Sequence, residues 1–250
     1  MSSRKALIFA AGLGTRLKPL TDTMPKALVP YKGVPLLESV IGNLKSSGFE
    51  DIVINIHHFG EQIIDFISKN DNFGINIQFS DERDLLRDTG GGVKYAESLL
   101  RSAEDDCSFL IHNVDIVSNI DLEQFYCDHT QSSAIATLVV SDRKTSRYFL
   151  FDKKMRLVGW VNISTGEVKS SFEEIASRSV DDLVNEYKIL AFAGIHILSD
   201  RVFPLMQSFP DKFSIVDFYL SIAKDYPILG WQTPKDVYVK DIGKLAELEK

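Results

Sequence analysis

The stretch from residue 10 to residue 30, AAGLGTRLKPLTDTMPKALVP, concentrates residue types that handle phosphate. Gly12 and Gly14 stand beside Thr15 and Arg16, and Lys26 follows Pro25, so one loop offers bare backbone and two cations. Backbone N–H groups in a glycine-rich turn after a strand can cradle phosphoryl oxygens, and glycine lets a ligand approach the chain closely. Arginine adds a planar fork for such oxygens and lysine a mobile point charge. Two common phosphate loops are excluded. The Lys-Ser/Thr pair of the Walker spacing is absent, and the dinucleotide fingerprint needs a small residue where Leu17 stands.

These residues need a strand before them and a sheet around them. The apolar run 5–10 reads as a buried strand leading straight into the loop. Pro35 then opens a helix whose face is Leu36, Leu37, Val40, Ile41 and Leu44, stopped by Gly48. Strands over 51–56, 75–79, 107–112 and 135–140 alternate with helices over 61–68, 93–101 and 122–129, and a polar loop ending in Gly90, Gly91 and Gly92 precedes the second of these helices. Alternation of this kind implies parallel strands joined by crossover helices, a doubly wound half. After residue 141 the rhythm changes to a hairpin over 148–161, a polar acidic excursion over 162–187 and a long apolar strand over 189–198. A helix, a strand, a hairpin and a last helix over 243–249 follow. No repeat or flexible linker divides the chain, so residues 1–250 read as a single mixed-sheet α/β domain, with 1–140 and 141–250 as its two halves.

Composition narrows the functional classes. The 250 residues are 44% apolar and 25% charged with a net charge of −7, which disfavours a general affinity for nucleic acid and leaves room for a local basic pocket. No apolar run approaches the length that crosses a bilayer, so no membrane insertion is expected. Two cysteines, Cys107 and Cys127, build neither a disulfide framework nor a zinc site, which fits a reducing, cytoplasmic compartment. The basic and then apolar N-terminus runs on into the glycine loop and reads as mature protein, not as a signal peptide.

The loop resembles the signature of the sugar-1-phosphate nucleotidyltransferases, G-x-G-T-R-x-x-P-L-T followed by P-K-x-L. The matching residues are Gly12, Gly14, Thr15, Arg16, Pro19, Leu20, Thr21, Pro25, Lys26 and Leu28. Softer matches at NIHHFGEQI, DTGGG, HNVDIV, LAFAGIHIL and KDIGKLAELE extend the likeness along the chain, most nearly to the short N-acetylmuramate-1-phosphate uridylyltransferase type. The resemblance implies a Rossmann-like, mixed and mainly parallel sheet with helices on both faces. It also implies Mg²⁺-dependent transfer of a nucleotidyl group from an NTP to a sugar 1-phosphate, giving an NDP-sugar and pyrophosphate, by a monomer or small homo-oligomer. Uridylyl transfer to N-acetylmuramate 1-phosphate stands first, guanylyl transfer to mannose or heptose 1-phosphate second, and cytidylyl transfer to phosphocholine third. A glycosyltransferase would want a D-x-D motif where the chain has Asp115-Ile116-Val117, and a non-catalytic nucleotide sensor would lack part of the charged set.

Carried over residue by residue, the resemblance makes Arg16 and Lys26 catalytic and Asp115 and Asp241 the metal ligands, the latter in Asp241-Ile242-Gly243. Ala10, Ala11, Gly12, Gly14 and Thr15 would surround the nucleotide, with Thr89, Gly90 and Gly91 as a loop against the base and Glu82 reading an amide or amino edge. Asn113 and Gly194 would border the sugar. The family's E-K-P tripeptide is missing, and Lys188 beside Glu186 and Tyr187 is the substitute on offer. Val114 replaces the family's glycine before the metal aspartate, where a side chain is expected to narrow the pocket. His57 and His58 point to opposite faces of a strand end and are not expected to share a metal.

Overall fold

A computed structural model describes residues 4–102 and 107–248; the end of the last helix expected from sequence, at residue 249, lies outside the described residues. Strand β1 (Arg4–Phe9) leads into the glycine-rich loop, a small β2 (Pro30–Tyr31) and β3 (Val34–Pro35) hairpin and helix α1 (Leu36–Ser46). Then come β4 (Phe49–Ile56), α2 (Gly60–Lys69), β5 (Asn76–Asp81), α3 (Asp88–Tyr95), α4 (Glu97–Leu100), β6 (Ser108–Asn113), β7 (Ile116–Ser118), α5 (Leu122–Thr130) and β8 (Ala136–Ser141). The remainder is β9 (Arg147–Phe151), β10 (Leu157–Asn162), β11 (Glu167–Lys169), α6 (Glu173–Ala176), α7 (Val180–Glu186), β12 (Lys188–Ser199), α8 (Val202–Met206), α9 (Ile215–Ile222), β13 (Ile228–Gln232), β14 (Val239–Asp241) and α10 (Leu245–Leu248).

The main sheet runs β5-β4-β1-β6-β12, and its first four strands are parallel. β1 is central and buried on both faces, so its alternation sends Ala6 and Ile8 into one core and Leu7 into the other. The first core takes α1, α2 and α5; the second takes α3, α4, α8 and α9. Helices therefore cover both faces, as the alternating pattern implies. Leu36, Leu37, Val40, Ile41 and Leu44 of α1 are all buried, each contributing roughly 1.5–3 kcal/mol.

Three expectations change. β8 does not continue the parallel half: β12 lies between it and β6, antiparallel to both, and β8 is parallel only to β13. The long apolar β12 thus inserts into the middle of the sheet, and the change of rhythm near residue 140 marks no break in it. The glycines 90–92 sit inside α3, because Asp88 at φ 59° turns the chain into the helix earlier than its apolar residues suggest. The acidic excursion forms β11, α6 and α7, which bury Ile175 and Leu183 against Leu150, Val158 and Val161 in a small third core. Among the described residues no helix is long and apolar enough to cross a membrane, and neither Cys107 nor Cys127 is in a disulfide.

Candidate active site

The carboxyl ends of parallel strands leave a crevice where loops collect. Here β1 ends in the glycine-rich loop, β5 in the segment before α3, and β6 in Asn113, and they enclose a cavity of about 460 Å³. Ala11, Gly12, Arg16, Lys26, Glu82, Thr89, Asn113 and Asp115 line it, all of them expected from sequence. Phe9, Asn55, Leu86, Asp88 and Lys212 line it too, and none of these carried a sequence signal.

The charged centre is best located from Gly243. A Cβ built there would lie 2.7 Å from Asp115 Oδ2, 2.7 Å from Asp241 Oδ1 and 3.0 Å from Arg16 Nη2. The two carboxylate oxygens are therefore within twice 2.7 Å of each other, with the guanidinium beside them. Lys26 Nζ forms an ion pair with Asp115 Oδ2, both side chains largely shielded from solvent. β14 pairs with β7, placing Asp241 opposite Ile116, and Ile242 N–H donates to the Asp115 carbonyl at 2.8 Å. Ile242 itself is fully buried and anchors the segment. Gly243 N–H donates to Asp241 Oδ1 at 2.8 Å, a local turn that aims this carboxylate at Asp115. Among the described residues no group of three or more His, Cys, Asp or Glu gathers as an all-protein metal cage. Two converging carboxylates around a position that only glycine leaves open do fit Mg²⁺, which takes one or two carboxylates and completes its shell with water and substrate phosphate.

The loop itself is shaped by Gly14, whose φ of 64° and 2.8 Å approach to Thr21 Cγ2 exclude a side chain. Its carbonyl accepts from Leu17 N–H and from Thr21 Oγ1, each at 2.8 Å, closing the turn that presents Thr15 and Arg16. Asn55 Oδ1 accepts the N–H groups of both Ala10 and Ala11, at 2.6 and 3.1 Å, so these donors are engaged within the protein. Glu82 belongs to the same network. It is buried, Asn55 Nδ2 donates to its Oε1 at 2.9 Å and Arg87 N–H to its Oε2 at 3.1 Å. Burial is the largest influence on this carboxyl and pushes its pKa up, against the hydrogen bonds that favour the anion. Glu82 braces the cavity wall, with both oxygens engaged.

Gly90 and Gly91 do not face the cavity. A Cβ on Gly90 would sit 2.3 Å from the Phe213 ring and one on Gly91 2.2 Å from the Asp211 carbonyl. Their role is to let residues 211–213 dock. Gly194, at φ 76°, stands behind Asn113, whose amide a Cβ would meet at 2.5 Å. Val114 packs into the first core and leaves the cavity unnarrowed, because its position after β6 points it inward. Lys188 is bonded to Gln232 and is not among the residues that line the cavity. His57 Nδ1 pairs with the Glu82 carbonyl at 2.8 Å, and the His58 ring packs at a tilt against Phe59. A second cleft of about 520 Å³ is lined by Gly91, but its arginines are already paired, Arg87 with Asp84 and Arg101 with Glu97.

The model of the family described as "Nucleotidyl transferase" matches residues 5–156, more than half of the chain. The chain belongs to the nucleotidyl transferase family. Among curated members, a mannose-1-phosphate guanyltransferase of Yarrowia lipolytica is 30% identical over 223 residues, 88% of this chain and 56% of that protein. An N-acetylmuramate alpha-1-phosphate uridylyltransferase of Neisseria meningitidis is 41% identical over 117 residues, 47% of this chain and 49% of that protein. The chain spans about half the length of these curated relatives. Of solved structures, a putative glucose-1-phosphate thymidylyltransferase from Bacillus anthracis in complex with a sucrose superposes with a TM-score of 0.78 at 16% identity, covering 98% of this chain and 92% of that one. HddC from Yersinia pseudotuberculosis complexed with GMP-PN gives 0.72 at 20%, covering 98% and 96%. At such identities the structures establish the nucleotidyl transferase fold, a mixed, mainly parallel sheet flanked by helices.

Proposed function

We propose that this protein transfers a nucleotidyl group from an NTP to a sugar 1-phosphate and releases pyrophosphate, with Mg²⁺ held by Asp115 and Asp241. The observation that carries the reading is the meeting of Asp115, Asp241 and Arg16 around Gly243, with Lys26 on Asp115. Four charged groups brought together from distant parts of the chain suit a reaction between two anions, in which positioning and charge neutralisation supply most of the catalysis. A phosphate oxygen of the sugar attacks the α-phosphorus in line; the bond from that phosphorus to the bridging oxygen breaks, and pyrophosphate leaves with the electron pair. Arg16, exposed at the loop tip, grips the departing phosphoryl oxygens, and Lys26 swings from Asp115 to the α-phosphate. A bound divalent ion would neutralise the triphosphate and align its oxygens. Gly12 and Thr15 lie along the nucleotide and Thr89 faces its base, while Asn113, given room by Gly194, meets the acceptor.

Uridylyl transfer to N-acetylmuramate 1-phosphate is the first substrate pair, supported by the Neisseria relative. Guanylyl transfer to mannose 1-phosphate is the second, supported by the long match to the Yarrowia protein. We place the reaction in the cytoplasm, carried out by a monomer or small homo-oligomer. The test is pyrophosphate release across a matrix of NTPs and sugar phosphates with and without Mg²⁺. Release that needs the metal and vanishes in Asp115→Asn, with folding intact by circular dichroism, is the expected result. Nucleotide binding with no pyrophosphate from any pair would make the chain a sensor.

A further inference from the structure

Lys212 is the feature of the cavity that the reaction described above does not use. Three cations line the cavity: Arg16, Lys26 and Lys212. The first two stand against the carboxylate pair, Lys26 in an ion pair with Asp115 and Arg16 beside the Gly243 position. Lys212 arrives from elsewhere, on the segment between α8 and α9, and enters no hydrogen bond or ion pair among the described residues.

The backbone just after it, in contrast, is held. Gly90 and Gly91 N–H both donate to the Phe213 carbonyl, at 2.9 and 3.2 Å, and Phe213 N–H donates to the Arg87 carbonyl at 3.3 Å. Thr89 Oγ1 accepts from Ile215 N–H at 3.0 Å. The Phe213 ring is buried against Gly90 and packs on Phe209 with ring centroids 4.8 Å apart. Any side chain at Gly90 or Gly91 would drive residues 211–213 off α3. Lys212 is exposed, yet the segment that carries it is seated on α3. Here three backbone hydrogen bonds and one to Thr89 Oγ1 fix residues 213–215, and Gly90 and Gly91 let residues 211–213 sit close, under a long cationic side chain that stays free.

Resting on the proposed reaction, we infer that Lys212 is a further substrate-binding residue, a third cation that engages an anionic oxygen which Arg16 and Lys26 do not reach. Two sources present that chemistry: a carboxylate on the acceptor sugar, as in the lactyl group of N-acetylmuramate 1-phosphate, and the triphosphate itself. Charge-assisted hydrogen bonds are strong enough for loss of one to appear as a change of about 10-fold to 100-fold.

The experiment compares the native protein, Lys212→Met and Lys212→Arg by pyrophosphate release, with the NTP and two acceptors, N-acetylmuramate 1-phosphate and N-acetylglucosamine 1-phosphate, varied in turn. The expected result is a KM raised about 10-fold to 100-fold in Lys212→Met and largely restored in Lys212→Arg. A rise confined to the carboxylate-bearing acceptor assigns the anion to the sugar; a rise in the KM for the NTP with both acceptors assigns it to the triphosphate. Both KM values within twofold of native, or a loss that arginine does not restore, overturns the inference. Should no pair release pyrophosphate, the proposed reaction fails, and calorimetric titration with UTP, GTP and N-acetylmuramate 1-phosphate decides Lys212 separately. Tenfold weaker binding of any one of them by Lys212→Met then supports its role, and unchanged or absent binding of all three refutes it.

Discussion

Replacing Gly243 by alanine puts one methyl group at the point where the proposed chemistry converges. The added carbon would start 2.7 Å from oxygens of both Asp115 and Asp241 and 3.0 Å from Arg16. Carbon atoms pack comfortably at about 3.5–4.0 Å from non-bonded neighbours, so relief requires the two carboxylates and the guanidinium each to retreat by roughly 0.5–1 Å. A misplacement of about 1 Å in a positioned catalytic group costs on the order of 10²-fold in rate. Three groups are displaced here and the charge between them is partly desolvated by the methyl, so kcat/KM should fall by about 10²-fold to 10³-fold. Gly243 does not adopt a left-handed backbone, and Ile242 remains in the core, so the fold has no reason to fail. The assay is pyrophosphate release at saturating Mg²⁺, alongside a thermal melt and a Mg²⁺ titration, in which the concentration for half-maximal activity should rise. An alanine variant with native kcat/KM and native Mg²⁺ dependence would refute the assignment of this point as the reaction centre.

Other consequences follow from the buried network around it. Asn55→Ala strands two N–H groups of the glycine-rich loop and one oxygen of Glu82, so the protein should lose about 2–4 kcal/mol of stability in chemical denaturation; a loss under 1 kcal/mol would remove Asn55 as the brace. His112 and His196 are buried, and burial holds their pKa values down at about 4 and about 3, so both are neutral in the fold. The denatured chain takes up protons on both as pH falls through 6.5, and the folded protein does not, so stability is full above that pH and declines below it toward the folded values. Between pH 6 and 5 the slope should approach roughly 1.4 kcal/mol per pH unit for each histidine, and His196→Gln should halve it; an unchanged slope would show that His196 titrates normally. Gly90→Ala should lower the thermal midpoint and raise the same KM as Lys212→Met, because the methyl overlaps the Phe213 ring; native behaviour in both measurements would dissolve the link between α3 and Lys212.

Much of this site was legible along the chain. A strand running into Gly12, Gly14, Arg16 and Lys26 is a local pattern, and local patterns survive translation into structure because neighbouring residues are bound to remain neighbours. The alternation of β1, α1, β4, α2 and β5 was readable for the same reason, since each apolar face repeats within a few residues. Asp115 and Asp241 were legible only through resemblance, as no local rule links residues from opposite halves; the β7–β14 pairing is what joins them.

What the chain alone indicated is a loop with bare backbone and two cations and the parallel core that presents it. Tertiary structure decided which groups remain available to a ligand. Asn55 consumes the donors of Ala10 and Ala11, Glu82 turns into a brace, Val114 goes into the core, and the glycines of α3 serve a docking segment that ends in Lys212. Each outcome turns on contacts between residues distant in sequence. A hydrogen-bonding group or an open side of a glycine looks the same along the chain whether a ligand or another part of the protein will occupy it, and only the folded packing makes the choice.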